Sequence, residues 1–185
     1  MGFHTFDAAG ADNLEDDSRF RYGSREELLG LLGAHREQSL LDLGSGTGFY
    51  TRELAPHVGT VYALDVQDAM GVRHREEGLV GNVHLVTGVA DALPFAADAL
   101  DAAYSTMTFH EYATEAALAE LARVLRPGGR LVTVDWSRTG PGDAGPPRDE
   151  RFGLGRALEL QTDAGLVVER AADRVETFVS VSRAP

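Results

Sequence analysis

The sequence predicts a single α/β domain: a three-layer, doubly wound sheet, mostly parallel, closing with a C-terminal antiparallel hairpin. Three observations carry this reading. Apolar runs of strand length alternate with helix-length segments from residue 24 onward. The segments between consecutive runs are long enough for crossover helices, so the economical assembly is a parallel sheet with helices on both faces. The last two runs are joined by a tight turn instead, which makes them a hairpin.

The elements follow in order. Residues 1–23 are acidic and without sustained periodicity, and they are expected to form an N-terminal arm. Its aromatic side chains, Phe3, His4, Phe6 and Tyr22, suggest a lid that folds over a ligand. The domain proper spans 24–185. Ser24, with Glu27 three residues on, is a capping signal, and Leu28, Leu29, Leu31 and Leu32 supply the apolar stripe of the first helix. Strands are expected at 39–43, 60–64, 83–86, 100–105 and 130–134. Helices are expected at 49–55, 67–77, 114–125 and 157–164. The hairpin strands are 166–171 and 175–182, turning around Ala172-Asp173, and 141–147 is a Gly/Pro-rich loop within the domain.

Composition narrows the function classes. The chain has 185 residues and no cysteine, which removes disulfides, thiolate metal sites and a cysteine nucleophile. The formal charge of −12 repels phosphate backbones and anionic lipid surfaces, so neither nucleic acid nor membrane is expected as a partner. No apolar stretch approaches the ~20 residues of a membrane span. The start, Met1-Gly2-Phe3-His4, has neither the basic nor the apolar part of a secretory signal, so a cytoplasmic location is expected. All 17 basic residues are arginine. That lysine-free, acidic usage is of halophilic type, and coding bias in a GC-rich genome produces the same pattern. Oligomeric state is left open.

The first strand runs into Gly44-Ser45-Gly46-Thr47-Gly48 ahead of a helix. Without a Cβ, the main chain turns sharply there and lets a ligand approach closely. Ligands of open α/β sheets sit in this crevice, at the carboxyl ends of the strands. Asp65 ends the second strand, where a carboxylate accepts hydrogen bonds from ribose hydroxyls. The G-x-G-x-G spacing disfavours a nicotinamide oxidoreductase, which would carry G-x-G-x-x-G.

With these motifs in place, the chain resembles class I S-adenosylmethionine-dependent methyltransferases of the broad type that includes quinone-biosynthesis enzymes. The resemblance runs over residues 38–182. The stretch Leu41-Asp42-Leu43-Gly44-Ser45-Gly46-Thr47-Gly48 is similar to the family's first motif, and Val61-Tyr62-Ala63-Leu64-Asp65 to its second. Leu93-Pro94-Phe95 is similar to the loop over adenine, and the run from Arg123 to Leu131, with its Arg126-Pro127-Gly128-Gly129, to the most recognisable signature. The resemblance implies S-adenosylmethionine as cofactor. It would be held by Gly44, Ser45 and Gly46 at the methionine moiety and ribose, Asp65 at the ribose and Val66 against adenine. Asp42 would hold the turn or the cofactor ammonium, and Ser105 would lie at the methionine end. The sequence departs from the family at Val89, where relatives carry an aspartate for the adenine amino group. Asp91, or the backbone around Ala90, is expected to take over that contact.

Methyl transfer needs alignment and exclusion of water, and a base only when the acceptor must lose a proton. The fourth and fifth strands end at the mouth of the sheet. The turn after the fourth carries His110, the candidate base or substrate hydrogen-bonder, for which a structural hydrogen-bonding role is the alternative. The fifth ends in Asp135-Trp136, a carboxylate and an indole that could bind an acceptor, with cover over the core as the alternative for Trp136. Tyr22 and Arg148 complete the candidate substrate contacts, a plain surface arginine being the alternative for Arg148, and no metal site is expected. The expected function is methyl transfer to a small-molecule acceptor. A non-catalytic S-adenosylmethionine-binding regulatory protein is the alternative.

Overall fold

The computed structural model describes residues 8–185, so Phe3, His4 and Phe6 lie outside the described residues. Among the described residues seven strands form one sheet in the order β3-β2-β1-β4-β5-β7-β6. They are β1 (Ser39–Leu43), β2 (Thr60–Asp65), β3 (Val83–Thr87), β4 (Leu100–Thr106), β5 (Leu125–Trp136), β6 (Val167–Asp173) and β7 (Thr177–Arg183). The first five pair in parallel, and β7 runs antiparallel between β5 and β6.

Alternation along the strands splits the core between two faces. Leu40, Val61, Val132 and Val134 pack with Leu28 and Leu32 of α1 (Arg25–Leu32) and Leu54 of α2 (Phe49–Leu54). Their neighbours Leu41, Leu64, Ala103 and Leu131 pack on the opposite face, with Leu118 and Leu121 of the helix Glu115–Val124 and Ala157 and Leu160 of the helix Leu154–Asp163. The remaining helices, in chain order, make the set α3 (Asp68–Gly78), α4 (Phe109–Tyr112), α5 (Glu115–Val124) and α6 (Leu154–Asp163). Among the described residues no helix is long and apolar enough to cross a membrane.

Caps form where the sequence signals them. Ser24 Oγ accepts from Glu27 N at 3.2 Å, and Thr114 Oγ1 from Ala117 N at 3.1 Å. The reciprocal half of the Ser24 box is not made, because the Glu27 carboxylate pairs with Arg174 of the distant hairpin turn.

Several expectations are corrected. The arm is not shapeless: residues Ala8–Glu15 and Asp17–Arg21 form 3-10 turns, whose short runs leave no readable periodicity. α4 also escaped the sequence reading. The hairpin turns at 174–176, with Arg174 N donating to Thr177 O at 2.7 Å, and not at Ala172-Asp173. A register shift between Val168 and Arg170 inserts Glu169 as an extra residue and lengthens β6, and such a bulge is invisible to period-two reading. Glu169 is held by Arg183, 2.6 Å away. β5 likewise starts at Leu125, its first turn loosened by a shift where Leu100 faces Leu125 but Ala102 faces Arg130.

Candidate active site

Two clefts meet at the carboxyl edge of the sheet. The first, about 960 Å³ with its open mouth, lies over the glycine turn. Gly44 N and Ser45 N both donate to Leu64 O at 2.9 Å, which ties the turn to the end of β2. Asp65 completes the tie: its two oxygens accept from Gly46 N at 2.8 Å and Gln67 N at 2.9 Å. Burial raises the Asp65 pKa, and hydrogen bonds from the Gln67, Gly46 and Val66 backbones hold it back. Gly44, at φ 73°, is obligatory, since a Cβ there would lie 2.7 Å from the Thr108 side chain.

Asp42 sits below the turn, 2% exposed, and its Oδ2 accepts from Thr51 Oγ1 and Tyr104 OH at 2.5 Å each. Burial, with a smaller push from Asp65, drives its pKa up to about 6 against the pull of Thr51, Tyr104 and Arg19. Behind the turn, the buried His74 imidazole fills the space a Cβ on Gly48 would need, which would lie 2.1 Å from its Nε2. Neither His74 nitrogen has a hydrogen-bond partner among the described residues. Burial, then the charges of Arg52 and Arg75, lower its pKa to about 4, so the ring is neutral at physiological pH.

The second cleft, about 1270 Å³ with its mouth, shares Leu14, Arg19, Met107 and Glu111 with the first. Met107 stands at the junction with φ 61°, a left-handed conformation rare for a side chain of its size, held by Met107 N donating to Val134 O at 2.7 Å. One wall is aromatic: Tyr22 meets Trp136 edge-on, ring centroids 4.7 Å apart. Another wall is His110. Its Nδ1 lies 3.0 Å from both oxygens of Asp135, and its backbone N donates to Asp135 Oδ2 at 2.8 Å. A carboxylate accepts hydrogen bonds, so Nδ1 carries the proton, while Nε2 lies 3.9 Å from Glu111 Oε1. Burial pulls the His110 pKa down, but the Asp135 hydrogen bond and charge, with Glu111 and Glu150, outweigh it and raise the pKa above the ordinary value.

The sequence-predicted residues divide accordingly. Asp42, Gly44, Ser45, Gly46, Asp65, Val66 and Ala90 line the first cleft, and Tyr22, His110 and Trp136 line the second. Four lie elsewhere. Asp91 is exposed outside the lining, whereas Val89 and Ala90 are on it. Ser105 is buried, bonded to Thr108 Oγ1 at 3.2 Å, and Thr108 is the residue that reaches the cleft. Asp135 is fully buried, so it touches His110 and does not itself line the cleft. Arg148 bonds to Pro141 O on the loop surface. Of that loop's arginines it is Arg151 that packs behind the cleft wall, 3% exposed and 5.6 Å from the Trp136 ring. Leu93-Pro94-Phe95 is off the cleft too: Arg123 grips the Phe95 and Leu93 carbonyls at 2.8 and 3.2 Å and holds that loop on α5.

The sequence reading missed the contribution of Leu14, Arg19 and Glu15. Leu14 and Arg19 line the first cleft, and Glu15 bonds to Thr47 of the glycine turn and to Arg52. The only hint was their position in an arm already suspected of covering a ligand.

The profile of the family described as "Methyltransferase domain" matches residues 41–133. The ubiquinone/menaquinone biosynthesis C-methyltransferase UbiE of Klebsiella pneumoniae is 38% identical over 114 residues, covering 57% of this chain and 45% of that protein. The chain therefore spans less than half the length of the curated relatives it matches. A crystal structure of a SAM dependent methyltransferase from Aquifex aeolicus superimposes with a TM-score of 0.89 at 30% identity, covering 98% of this chain and 100% of that one. The [4+2]-cyclase SpnF superimposes with a TM-score of 0.77 at 20% identity over 87% of this chain and 79% of its own. That last likeness concerns fold alone, and it makes the side chains of the clefts the place to argue chemistry.

Proposed function

We propose, for a chain that belongs to the methyltransferase-domain family and whose cofactor is S-adenosylmethionine, that it transfers a methyl group to a small-molecule acceptor bound in the second cleft. The observation that carries this reading is the continuity of the two clefts at Met107 with a paired His110–Asp135 facing the second. The residues fit the cofactor: bare main chain at Gly44 and Gly46, the Asp65 carboxylate for the ribose, and Val66, 45% exposed on the lining, for the adenine face. When bound, S-adenosylmethionine supplies an electrophilic methyl on a sulfonium whose departure leaves a neutral thioether.

The protein's own part is alignment and proton handling. Tyr22 and Trp136 offer aromatic edges to a planar acceptor, and the relatives' name, a quinone-biosynthesis C-methyltransferase, makes a hydroxylated ring the leading acceptor class. His110 Nε2 accepts the acceptor's proton while Asp135 stabilises the imidazolium that forms. The test is purified protein, methyl-labelled donor and a panel of quinols, phenols, amines and small carboxylates. Labelled product with a hydroxylated aromatic ring, lost in His110→Ala, is expected. Donor binding without product from any acceptor would favour the non-catalytic binding reading.

A further inference from the structure

Arg19 is a half-buried cation without a matching anion among the described residues. It sits in the 3-10 turn Asp17–Arg21, its guanidinium carbon 5.4 and 5.5 Å from the ring centroids of Phe49 and Tyr50. Its Nη1 donates to Leu14 O at 3.2 Å, while Nε is buried with no hydrogen-bond partner among the described residues. The two carboxylates whose charge reaches it are committed elsewhere: Glu15 pairs with Arg52, and Asp42 accepts from Thr51 and Tyr104. A half-buried guanidinium whose Nε is shut off from water carries a desolvation cost that an anion would offset. Burial accordingly lowers the Arg19 pKa.

Its position says which anion. Arg19 lines both clefts, so it stands at the end of the donor cleft nearest the acceptor. The sulfonium of the donor has to face that junction for transfer to occur, which brings its methionyl end, with one carboxylate, into the same space. Asp65 serves the ribose end instead. We propose that Arg19 is a donor-binding residue whose guanidinium takes the methionyl carboxylate of S-adenosylmethionine, so that the arm selects donors that keep this group. The proposal rests on the donor reading above and extends it to a residue outside the glycine turn. Leu14, 3.4 Å from where a Gly46 Cβ would stand, and Glu15, bonded to Thr47 and Arg52, fasten the same segment over the turn.

Calorimetry without any acceptor tests it. The ligands are S-adenosylhomocysteine and its 3-aminopropyl thioether analogue, which lacks only the carboxylate. The proteins are wild type, Arg19→Gln and Arg19→Lys, each first shown to be folded by thermal melting without ligand. Wild type is expected to prefer S-adenosylhomocysteine by on the order of 10–100-fold, the range of a charge-assisted hydrogen bond. Arg19→Gln should lose most of that preference while its affinity for the analogue stays within about threefold, and Arg19→Lys should recover part of it. Equal weakening of both ligands, or an unchanged preference in Arg19→Gln, would overturn the proposal and leave the donor reading standing. Failure of both ligands to bind wild type would remove the donor reading and this one with it.

Discussion

The two clefts are built by different means. The donor cleft is largely main chain, with Gly44 and Ser45 amides closing on Leu64 and an aspartate clamping the turn. The second cleft, where the acceptor is proposed to bind, is side chain, gathered from the arm, the turn after β4, the end of β5 and the loop at 144–150. Main chain whose amides are spent on closing a bare turn tolerates few substitutions, whereas a wall of side chains can be changed one residue at a time. The same sheet edge thus carries one fixed site and one adjustable site.

The largest expected effect separates the clefts by rate. His110→Ala should lower kcat by about 10²–10⁴-fold, the usual worth of a positioned base, and leave S-adenosylhomocysteine affinity unchanged in calorimetry. A parallel loss of donor affinity would mean that the division is wrong. The pH profile sharpens the point. Because the His110 pKa is raised, kcat should climb with pH and level off above the ordinary histidine value near 6.5. Asp135→Asn removes the two strongest raising influences and leaves burial, so the inflection should move to lower pH as kcat falls. An unmoved inflection would take His110 out of the proton path.

Gly44→Val is the complementary break. A β-branched side chain at φ 73°, against Thr108, should weaken S-adenosylhomocysteine binding by about 100-fold or more, given ~1–2 kcal/mol for the left-handed backbone and ~1–3 for overpacking. Near-normal affinity would show that the turn has room the structure denies it.

Asp42→Asn has a smaller effect, of a sign particular to the donor cleft. The folded pKa of about 6 lies above the ordinary 3.8, so wild type binds the extra proton in the folded state and loses stability as pH rises from about 4 through 6. Asparagine keeps an oxygen to accept from Thr51 and Tyr104 without the charge. The ligand-free variant should therefore be more stable than wild type at pH 8, by up to about 3 kcal/mol, with the gain vanishing near pH 3. Denaturant unfolding at the two pH values checks this; a variant less stable at pH 8 would mean that Asp42 is better solvated than its burial implies. Smallest of all, Arg148→Ala should change stability by no more than about 0.5 kcal/mol and leave kcat/KM intact, since Arg148 is exposed and bonds only within its own loop.

The same contrast governs what could be read from the sequence. The β1 turn and Asp65 were legible because strand, glycines and acid follow one another in a fixed order that the chemistry of a backbone site demands. The parallel pairing was legible for a related reason, namely that the segments between strands are long enough for crossover helices. The acceptor side was legible only in part. His110 and Trp136 stand at strand ends, where function is expected, but Arg148 and Arg151 are three residues apart in one loop and only folding shows which is buried. Asp135 and Ser105 were placed at the right edge but one layer too near the ligand, because the direction in which a terminal strand residue turns depends on the bulge and turn beside it. The arm's contribution was hidden by its 3-10 turns, whose three-residue repeat is too short to print a pattern.

The contact between Gly48 and His74 makes inheritance at these two positions joint. An imidazole wedged beneath a bare α-carbon means that neither site has its own list of tolerated amino acids: any side chain gained at 48 must be matched by volume given up at 74. Descendants of this sequence should therefore cross between pairings in two steps, the first of them a smaller residue at 74, which leaves a cavity but not a clash.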